Sequence, residues 1–301
     1  MMIGVFASDG FPVPLPAGHR FPIKKYRVLR DRVAADLDGR RSELREPAAA
    51  TDAELHRVHT PAYVQAVVSG TLPTTVLRRL GFPWSPALVE RSRRSVGATI
   101  GACHSALAAG LGVNLAGGTH HAFPDRGEGY CVFNDVAVAV RAVQAEGAAR
   151  RVLVIDCDVH QGNGTAAIFR GDSTVFTLDV FGARNFPFEK EPSDVDVPLP
   201  DGTGDADYLA ALAPALERAL ETRPELAMYV AGADPYVDDR LGRLALTMAG
   251  LAARDRLVLG GLRRAGVPVA VVMGGGYARD IADTVTIHAA TVHAALDGEE
   301  R

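Results

Sequence analysis

The chain has 301 residues, of which 48% are hydrophobic and 23% charged, and its formal net charge at pH 7 is −4. This is an ordinary globular composition, which excludes disordered and fibrous classes. No apolar run approaches the ~20 residues that a bilayer-spanning helix needs, so we expect no membrane segment. The slight negative charge gives no indication of binding to nucleic acid or to an anionic membrane surface.

The N-terminal segment and the cysteine content predict a cytoplasmic protein. Residues 1–7 lack the basic segment and long apolar core of a signal peptide, so they are expected to form a first strand. The three cysteines are an odd number and lack Cys-x-x-Cys spacing. This usage fits a reducing compartment, where cysteines serve as buried apolar side chains rather than as disulfides.

Short apolar runs alternate along the chain with helical stretches rich in Ala, Leu and Arg. The predicted strands are 3–7, 112–116, 151–156, 174–179, 226–231 and 267–273. The predicted helices are 24–38, 61–69, 86–110, 134–146, 163–170, 205–221, 247–265 and 278–296. This alternation indicates βαβ units and a parallel sheet covered on both faces. No linker or repeat divides the sequence, so we expect one α/β domain over residues 1–301.

Polar side chains follow five of the predicted strands at the point where each strand ends. These groups are His120–His121, Asp156–Gly164, Asp179, Asp234 and Gly274–Tyr277. In open parallel sheets, ligand sites lie at the carboxyl ends of the strands. The sequence therefore predicts one functional site along this edge of the sheet.

Three of these residues are candidate metal ligands. Asp158 and His160 lie in the segment Asp-Cys-Asp-Val-His after a buried strand, and Asp234 is the expected third ligand. Two carboxylates and a neutral imidazole suit zinc in a catalytic site with an open coordination position. The alternative is a solvated turn after the strand, but neighbouring strand ends carry further polar groups, and burying these charges without compensation costs stability.

The adjacent His120 and His121 are candidates for proton transfer. Hydrolysis of an amide requires a group that takes a proton from water and gives one to the leaving amine, and histidine does both near neutral pH. Asp156 could orient one imidazole and stabilise its charged form. Tyr277, after three glycines that include Gly275, could present its phenol to a developing oxyanion, although a tight turn with a packed tyrosine is an equal alternative.

Two loops place aromatic side chains where they could line an apolar slot for an alkyl chain. They contain Tyr130, after Gly127 to Gly129, and Phe186, between an asparagine and a proline. Binding pockets for small molecules are lined mainly by such side chains. Local packing is the alternative interpretation of either loop.

Taken together, these segments resemble the zinc-dependent histone deacetylase superfamily, in a bacterial form closest to class IV-like members. The resemblance covers about residues 4–290 and is carried by segments that follow the family's order. The matching segments are Pro14–Tyr26, Gly117–Phe123, Gly127–Asp135, Asp156–Gly164, Gly232–Pro235 and Gly274–Tyr277.

The resemblance implies an arginase/deacetylase fold, a three-layer αβα domain around a mostly parallel sheet of about eight strands. It implies zinc on Asp158, His160 and Asp234, and proton transfer chiefly through His121, with His120 beside it. Other roles also follow from the resemblance alone. Asp156 would pair with a histidine, and Tyr277 would polarise the substrate carbonyl. The Gly129 carbonyl would accept the substrate N–H, and Tyr130, Phe186 and Gly275 would contact the substrate. A structural potassium ion would lie near Asp156, Asp158, His160, Asp179 and Val180.

Three positions depart from the family's pattern. Position 130 is Tyr where many relatives have Phe, and Asp179 stands where class I members have Ser. Asn163 replaces an Asp that supports the second histidine in class I members. An Asn–His pair stabilises the imidazolium less, so the pH optimum is expected to differ from class I.

The resulting hypothesis is a zinc-dependent enzyme that removes an acyl group from acyl-lysine or from a related amine such as an acetylated polyamine. One alternative is a catalytically silent protein that binds acylated amines. The other is a manganese ureohydrolase on the same fold, which requires more carboxylate ligands than the segments around His160 and Asp234 provide.

Overall fold

The computed structural model describes residues 1–37 and 40–298. Its strands are β1 (Ile3–Phe6), β2 (Ser42–Arg45), β3 (Leu111–Asn114), β4 (Val152–Asp156), β5 (Val175–Gly182), β6 (Val195–Leu199), β7 (Leu226–Ala231) and β8 (Val269–Met273). Its helices are α1 (Lys24–Asp36), α2 (Asp52–Leu55), α3 (Pro61–Ser69), α4 (Thr74–Leu80), α5 (Pro86–Ala109), α6 (Asp135–Ala145), α7 (Asn163–Phe169), α8 (Asp205–Leu220), α9 (Met248–Arg264) and α10 (Ile281–Leu296).

The strands form one sheet of eight, in the order β2-β1-β3-β8-β7-β4-β5-β6, and every pairing is parallel. This confirms the predicted α/β class and the arginase/deacetylase fold. A parallel strand needs a crossover connection, so helices cover both faces of the sheet. None of the helices within the described residues has the length and apolar character needed to cross a bilayer.

Alternate residues of each central strand enter two separate cores. In β4, Leu153 and Ile155 pack with α1, α8, α9 and α10, whereas Val152 and Val154 pack on the other face with α5 and α6. Side chains that alternate between the two faces with a period of two are typical of a strand. Burial of each Val or Leu side chain contributes roughly 1.5–3 kcal/mol to the stability of the fold. The central strands are therefore apolar throughout, which is why the sequence predicts them.

The two edge strands, β2 and β6, were not among the predicted strands. The sequence of β2 is Ser-Glu-Leu-Arg, with only the serine buried, and β6 alternates between half-buried and exposed residues before a buried Leu199. An edge strand with polar residues has no apolar run, so the pattern used for the other six does not detect it. The short helices α2 and α4 were missed because periodicity is weak over so few residues. Residue 38, the predicted end of helix 24–38, lies outside the described residues.

Candidate active site

The five strands whose ends were predicted to carry polar groups are consecutive neighbours in the sheet. The order β3-β8-β7-β4-β5 places their carboxyl ends along one edge. The structure therefore brings together the segments that follow these strands.

Asp158, His160 and Asp234 form a buried group whose ligand atoms all lie within 4.8 Å of one another. The Nδ1 atom of His160 is 3.0 Å from Asp158 Oδ1 and 3.2 Å from Asp234 Oδ2. Backbone N–H groups orient both carboxylates: Gly275 donates to Asp158 Oδ2, and Val159 donates to Asp234 Oδ1 over 2.9 Å.

The charges in this group fit a bound cation. Asp234 Oδ2 is buried, and no group among the described residues donates a well-aligned hydrogen bond to it, although His160 Nδ1 lies 3.2 Å away. Burial and the charge of Asp158 raise the pKa of Asp234 to about 7, although His160 opposes the shift. Two carboxylates and one imidazole, buried together with an unsatisfied oxygen, are a donor set that suits zinc.

A buried arginine on α9 connects the two loops that carry these candidate ligands. Arg254 is fully buried and donates to the carbonyl oxygens of Cys157, at 3.1 Å, and Gly232, at 2.6 Å. Asp255 pairs with it at 2.8 Å and also accepts a hydrogen bond from the Tyr229 hydroxyl. Because its polar atoms are paired, the buried ion pair fixes the two loops relative to each other.

His120 and His121 lie side by side, with ring centroids 4.1 Å apart. His120 Nδ1 is 2.6 Å from Asp156 Oδ2. Burial alone lowers the pKa of His120, but the carboxylates of Asp156, Asp158 and Asp179 outweigh it and raise the pKa to about 9. Burial and the positive charges of His120 and His160 instead hold the pKa of His121 well below 6.5. The neighbours thus have opposite protonation preferences, the arrangement expected of an acid–base pair.

The tautomer of His121 follows from its neighbours. His121 Nδ1 is 2.8 Å from Asn163 Oδ1, and the Asn163 amide nitrogen donates to Glu128 over 2.8 Å. Since Glu128 accepts the amide N–H, the carbonyl oxygen of Asn163 must face His121. His121 therefore donates from Nδ1, and its Nε2 is free to accept a proton.

Tyr277 lies beside the ligand group, after the glycine turn that follows β8. Its backbone N–H donates to Asp239 Oδ2 over 2.6 Å, and the Arg240 Nε donates to its carbonyl oxygen over 3.0 Å. The Lys25 ammonium is 5.2 Å from the centre of the Tyr277 ring. Burial, and then the charges of nearby carboxylates, raise the pKa of the Tyr277 phenol well above 10, so the hydroxyl remains a donor.

A cleft of about 400 Å³ reaches this group from the surface, and its lining includes His121, His160 and Tyr277. Gly129, Tyr130 and Phe186 line the same cleft, and their contact with a substrate stays a prediction. The Phe186 ring packs edge-on against His121 with centroids 4.9 Å apart. Gly129 has φ +55°, and a Cβ there would lie 2.6 Å from the His121 ring, so this close approach requires glycine.

The backbone of Gly275 is occupied by other contacts. Its N–H donates to Asp158, and its carbonyl oxygen accepts from Ala233 over 2.8 Å. Contact between Gly275 and a substrate stays a prediction, and the polar groups of Gly275 are already used in orienting the ligand loops.

Asp156 and Asp179 lie opposite each other in adjacent strands. Asp179 Oδ2 accepts from Gly162 N over 2.7 Å, whereas its Oδ1 is buried and accepts no hydrogen bond within the described part of the chain. Burial and the charge of Asp156 raise the pKa of Asp179 well above its usual value. Two buried carboxylates with a free oxygen fit a second cation near the residues named for potassium.

Several supporting residues were not singled out from the sequence. The side chains of Arg254 and Asp239 form hydrogen bonds with the backbone of loops that are distant in the chain, and neither residue belongs to a recognisable motif. Asp135 belongs to a matching segment, but no role was assigned to it. Its carboxylate accepts from the backbone of Gly118 and Thr119, and thereby orients the loop that leads into the histidine pair.

The eight-stranded parallel sheet with this group at its carboxyl edge is the arginase/deacetylase fold. The histone deacetylase domain matches residues 19–292, and the chain belongs to the histone deacetylase family.

An uncharacterized protein of Picosynechococcus sp. is 46% identical, over 96% of this chain and 99% of its own length. A histone deacetylase-like amidohydrolase of Pseudomonas aeruginosa is 31% identical, over 88% of this chain and 74% of its own length. The crystal structure of a histone deacetylase homologue complexed with SAHA superposes with a TM-score of 0.82 at 24% identity, over 99% of this chain and 84% of that one. Family membership supports a deacetylase or amidohydrolase activity.

The substitution Gly275→Ala is expected to displace Asp234, a candidate metal ligand. A Cβ at this position would lie 1.9 Å from Asp234 Oδ2 and 2.8 Å from Asp158 Oδ2. We expect the variant to fold but to retain less than a tenth of the wild-type metal, by analogy with the ~10–100-fold losses caused by disturbing the residues that orient ligands. Elemental analysis after gel filtration measures this. Gly204→Ala, where a Cβ meets nothing within 4 Å, is the matched control, and equal metal content in the two variants would contradict the interpretation.

Proposed function

We propose that this protein is a zinc-dependent deacylase that hydrolyses the amide of an acylated lysine or a related acylated amine. The observation that carries the proposal is the arrangement at the base of the cleft. His121, with Nε2 free to accept a proton, lies beside the Asp158–His160–Asp234 group and Tyr277 in one cleft. An amide hydrolase needs a base, an electrophilic group and an oxyanion donor together in this way.

Zinc would be held by Asp158, His160 and Asp234. The unsatisfied Asp234 Oδ2 and the excess of buried carboxylate support this assignment. When bound, zinc supplies Lewis-acid polarisation of a carbonyl and lowers the pKa of water. The roles of the chain's own residues are described next.

His121 accepts a proton from the attacking water at Nε2, because its Nδ1 proton is engaged by Asn163. The tetrahedral intermediate places negative charge on the former carbonyl oxygen, to which the Tyr277 hydroxyl donates. The imidazolium of His121 then protonates the amine nitrogen as the C–N bond breaks. His120 and Asp156, whose opposite charges offset each other, form an ion pair beside this proton transfer.

The cleft walls orient the substrate. The Gly129 carbonyl oxygen accepts the amide N–H, while Tyr130 and Phe186 pack against the alkyl chain of the amine. A structural potassium ion is supported by Asp179, which lies opposite Asp156 and whose buried Oδ1 accepts no hydrogen bond from the described residues. It would lie near Asp156, Asp158, His160, Asp179 and Val180.

The number of clustered metal-ligand residues disfavours the ureohydrolase alternative. In residues 1–37 and 40–298, the one cluster of three or more potential metal ligands is Asp158, His160 and Asp234. A binuclear site with bridging carboxylates requires additional ligands.

The test of the proposed function is a screen of zinc-loaded protein against peptides with acyl-lysine of graded chain length and against acetylated polyamines. We expect turnover of at least one substrate, with loss of activity in His121→Ala. Zinc-loaded protein that binds acyl-lysine but cleaves no member of the panel would instead support the catalytically silent alternative.

The pH dependence of the reaction is expected to depend on Asn163. The base must be neutral, and burial with the neighbouring positive charges lowers the pKa of His121, so the acidic limb of kcat/KM should lie below pH 6.5. Asn163→Asp places a carboxylate against the imidazole, stabilises its charged form and raises its pKa. We expect the acidic limb to move upward by about one unit or more.

This variant is best combined with Glu128→Gln, because Glu128 loses its donor when Asn163 becomes a carboxylate. Ser173→Asp, which adds the same charge at an exposed position outside the cleft, is the control. The acidic limb of the combined variant is compared with that of Glu128→Gln alone, because loss of the Glu128 charge by itself lowers the pKa of His121. A limb at the same pH in these two variants would exclude His121 as the titrating base.

A further inference from the structure

The mouth of the active-site cleft is positively charged. Its lining includes Arg78, Arg79, Arg184 and Arg243, and none of the described residues that line it is an aspartate or glutamate. The chain as a whole carries a net charge of −4. The charged residues that line the cleft are therefore opposite in sign to the net charge of the chain.

These arginines come from three separate parts of the fold. Arg78 and Arg79 occupy the last turn of α4, Arg184 follows β5, and Arg243 lies in the loop between β7 and α9. Cations in a last helical turn also stabilise the helix dipole, which gives Arg78 and Arg79 a structural explanation. Arg184 and Arg243 lie in loops, so this explanation does not apply to them.

Most of this charge is not neutralised by neighbouring residues. Arg243 pairs with Asp201 at 3.2 Å, and both side chains are partly exposed, so the pairing is weak. Among the ion pairs formed by the described residues, Arg78, Arg79 and Arg184 have no carboxylate partner, and all three are exposed. Charges of one sign around a cleft with apolar walls concentrate ligands of the opposite sign.

We propose that the substrate presents its acylated amine beside negative charge, as an acyl-lysine within an acidic polypeptide segment does. Acylated polyamines and acyl-lysines in basic segments carry the same reactive amide but are repelled at the mouth. The Debye length is about 8 Å at physiological ionic strength, so the arginines act mainly on charges in the residues that flank the acylated lysine. This inference rests on the proposed deacylase function and names its substrate class.

The test uses three peptides that share one central acyl-lysine and differ in its flanking residues, which are glutamates, glutamines or lysines. We expect kcat/KM of the zinc-loaded enzyme to fall in that order, by about tenfold or more between the first and the last. The difference should shrink as salt is added. Equilibrium binding of the same labelled peptides to the zinc-loaded Tyr277→Phe variant, by fluorescence anisotropy, measures recognition independently of cleavage.

Charge reversal assigns the preference to the arginines. Arg78→Glu with Arg79→Glu is expected to abolish or invert the order of binding, whereas Arg218→Glu, at an exposed position of α8 outside the cleft, leaves it unchanged. Equal binding of the three peptides, or a preference that survives the double reversal, overturns the inference. Preferential binding of the acidic peptide without cleavage of any substrate supports the inference and refutes the proposed deacylase function.

Discussion

Replacement of Tyr277 by Phe is expected to lower kcat by about two orders of magnitude or more, with little change in KM. In the proposed mechanism the phenol donates to charge that develops only in the transition state, and loss of one such donor has an effect of this size. The hydroxyl is suited to the role because burial and the nearby carboxylates raise its pKa well above 10, which keeps it protonated. Steady-state kinetics on the best acyl-lysine peptide of the screen measures the effect.

The ring itself should remain in place in this variant. Its backbone is fixed by Asp239 and Arg240, and the ring packs near Phe21, with centroids 6.3 Å apart, and near Lys25. Tyr236→Phe removes a phenol that bonds Asp283 outside the cleft, and it is the matched control. A Tyr277→Phe enzyme with wild-type kcat would show that the hydroxyl stabilises no oxyanion.

The sequence predicted most of the fold because the central strands are buried on both faces. Val152 to Ile155 is apolar at every position, and the structure buries all four residues. The edge strand β2 has only one buried residue, since its remaining side chains face solvent. Whether such a segment pairs as a strand is decided by the neighbouring strand β1, and a local pattern carries no information about that neighbour.

The same distinction applies to the site. Asp158 and His160 are two residues apart after one strand, so their juxtaposition can be predicted locally, and strand ends of a parallel sheet bring Asp234 to the same edge. Arg254 could not be found in this way. It contacts Cys157, which is 97 residues away, from a helix whose sequence shows only an ordinary charged pair. Arg254 is buried because α9 packs against the loops that carry the candidate ligands. Such packing between distant segments cannot be predicted from the sequence of one segment.

Asp234→Asn is expected to abolish retention of zinc. Asp234 Oδ1 accepts from the Val159 N–H, whereas Oδ2, to which no residue in the described part of the chain donates a well-aligned hydrogen bond, is the atom available to a cation. An asparagine can keep the first contact, but an amide in place of the carboxylate removes the negative charge and offers at most one neutral oxygen. Loss of Lewis-acid stabilisation worth several kcal/mol corresponds to a fall in kcat/KM of about three orders of magnitude.

Two measurements separate this outcome from simple misfolding. Elemental analysis should find about one zinc per wild-type chain and almost none in the variant. A hundredfold excess of zinc over its dissociation constant should stabilise the wild type by about 2.7 kcal/mol and the variant by far less, which thermal unfolding detects. Asp238→Asn, at an exposed position in the same loop, should behave as wild type in both assays. If Asp234→Asn retained stoichiometric zinc and activity, the assignment of three ligands would be wrong. The two remaining ligands, Asp158 and His160, are too few to retain zinc at this stoichiometry.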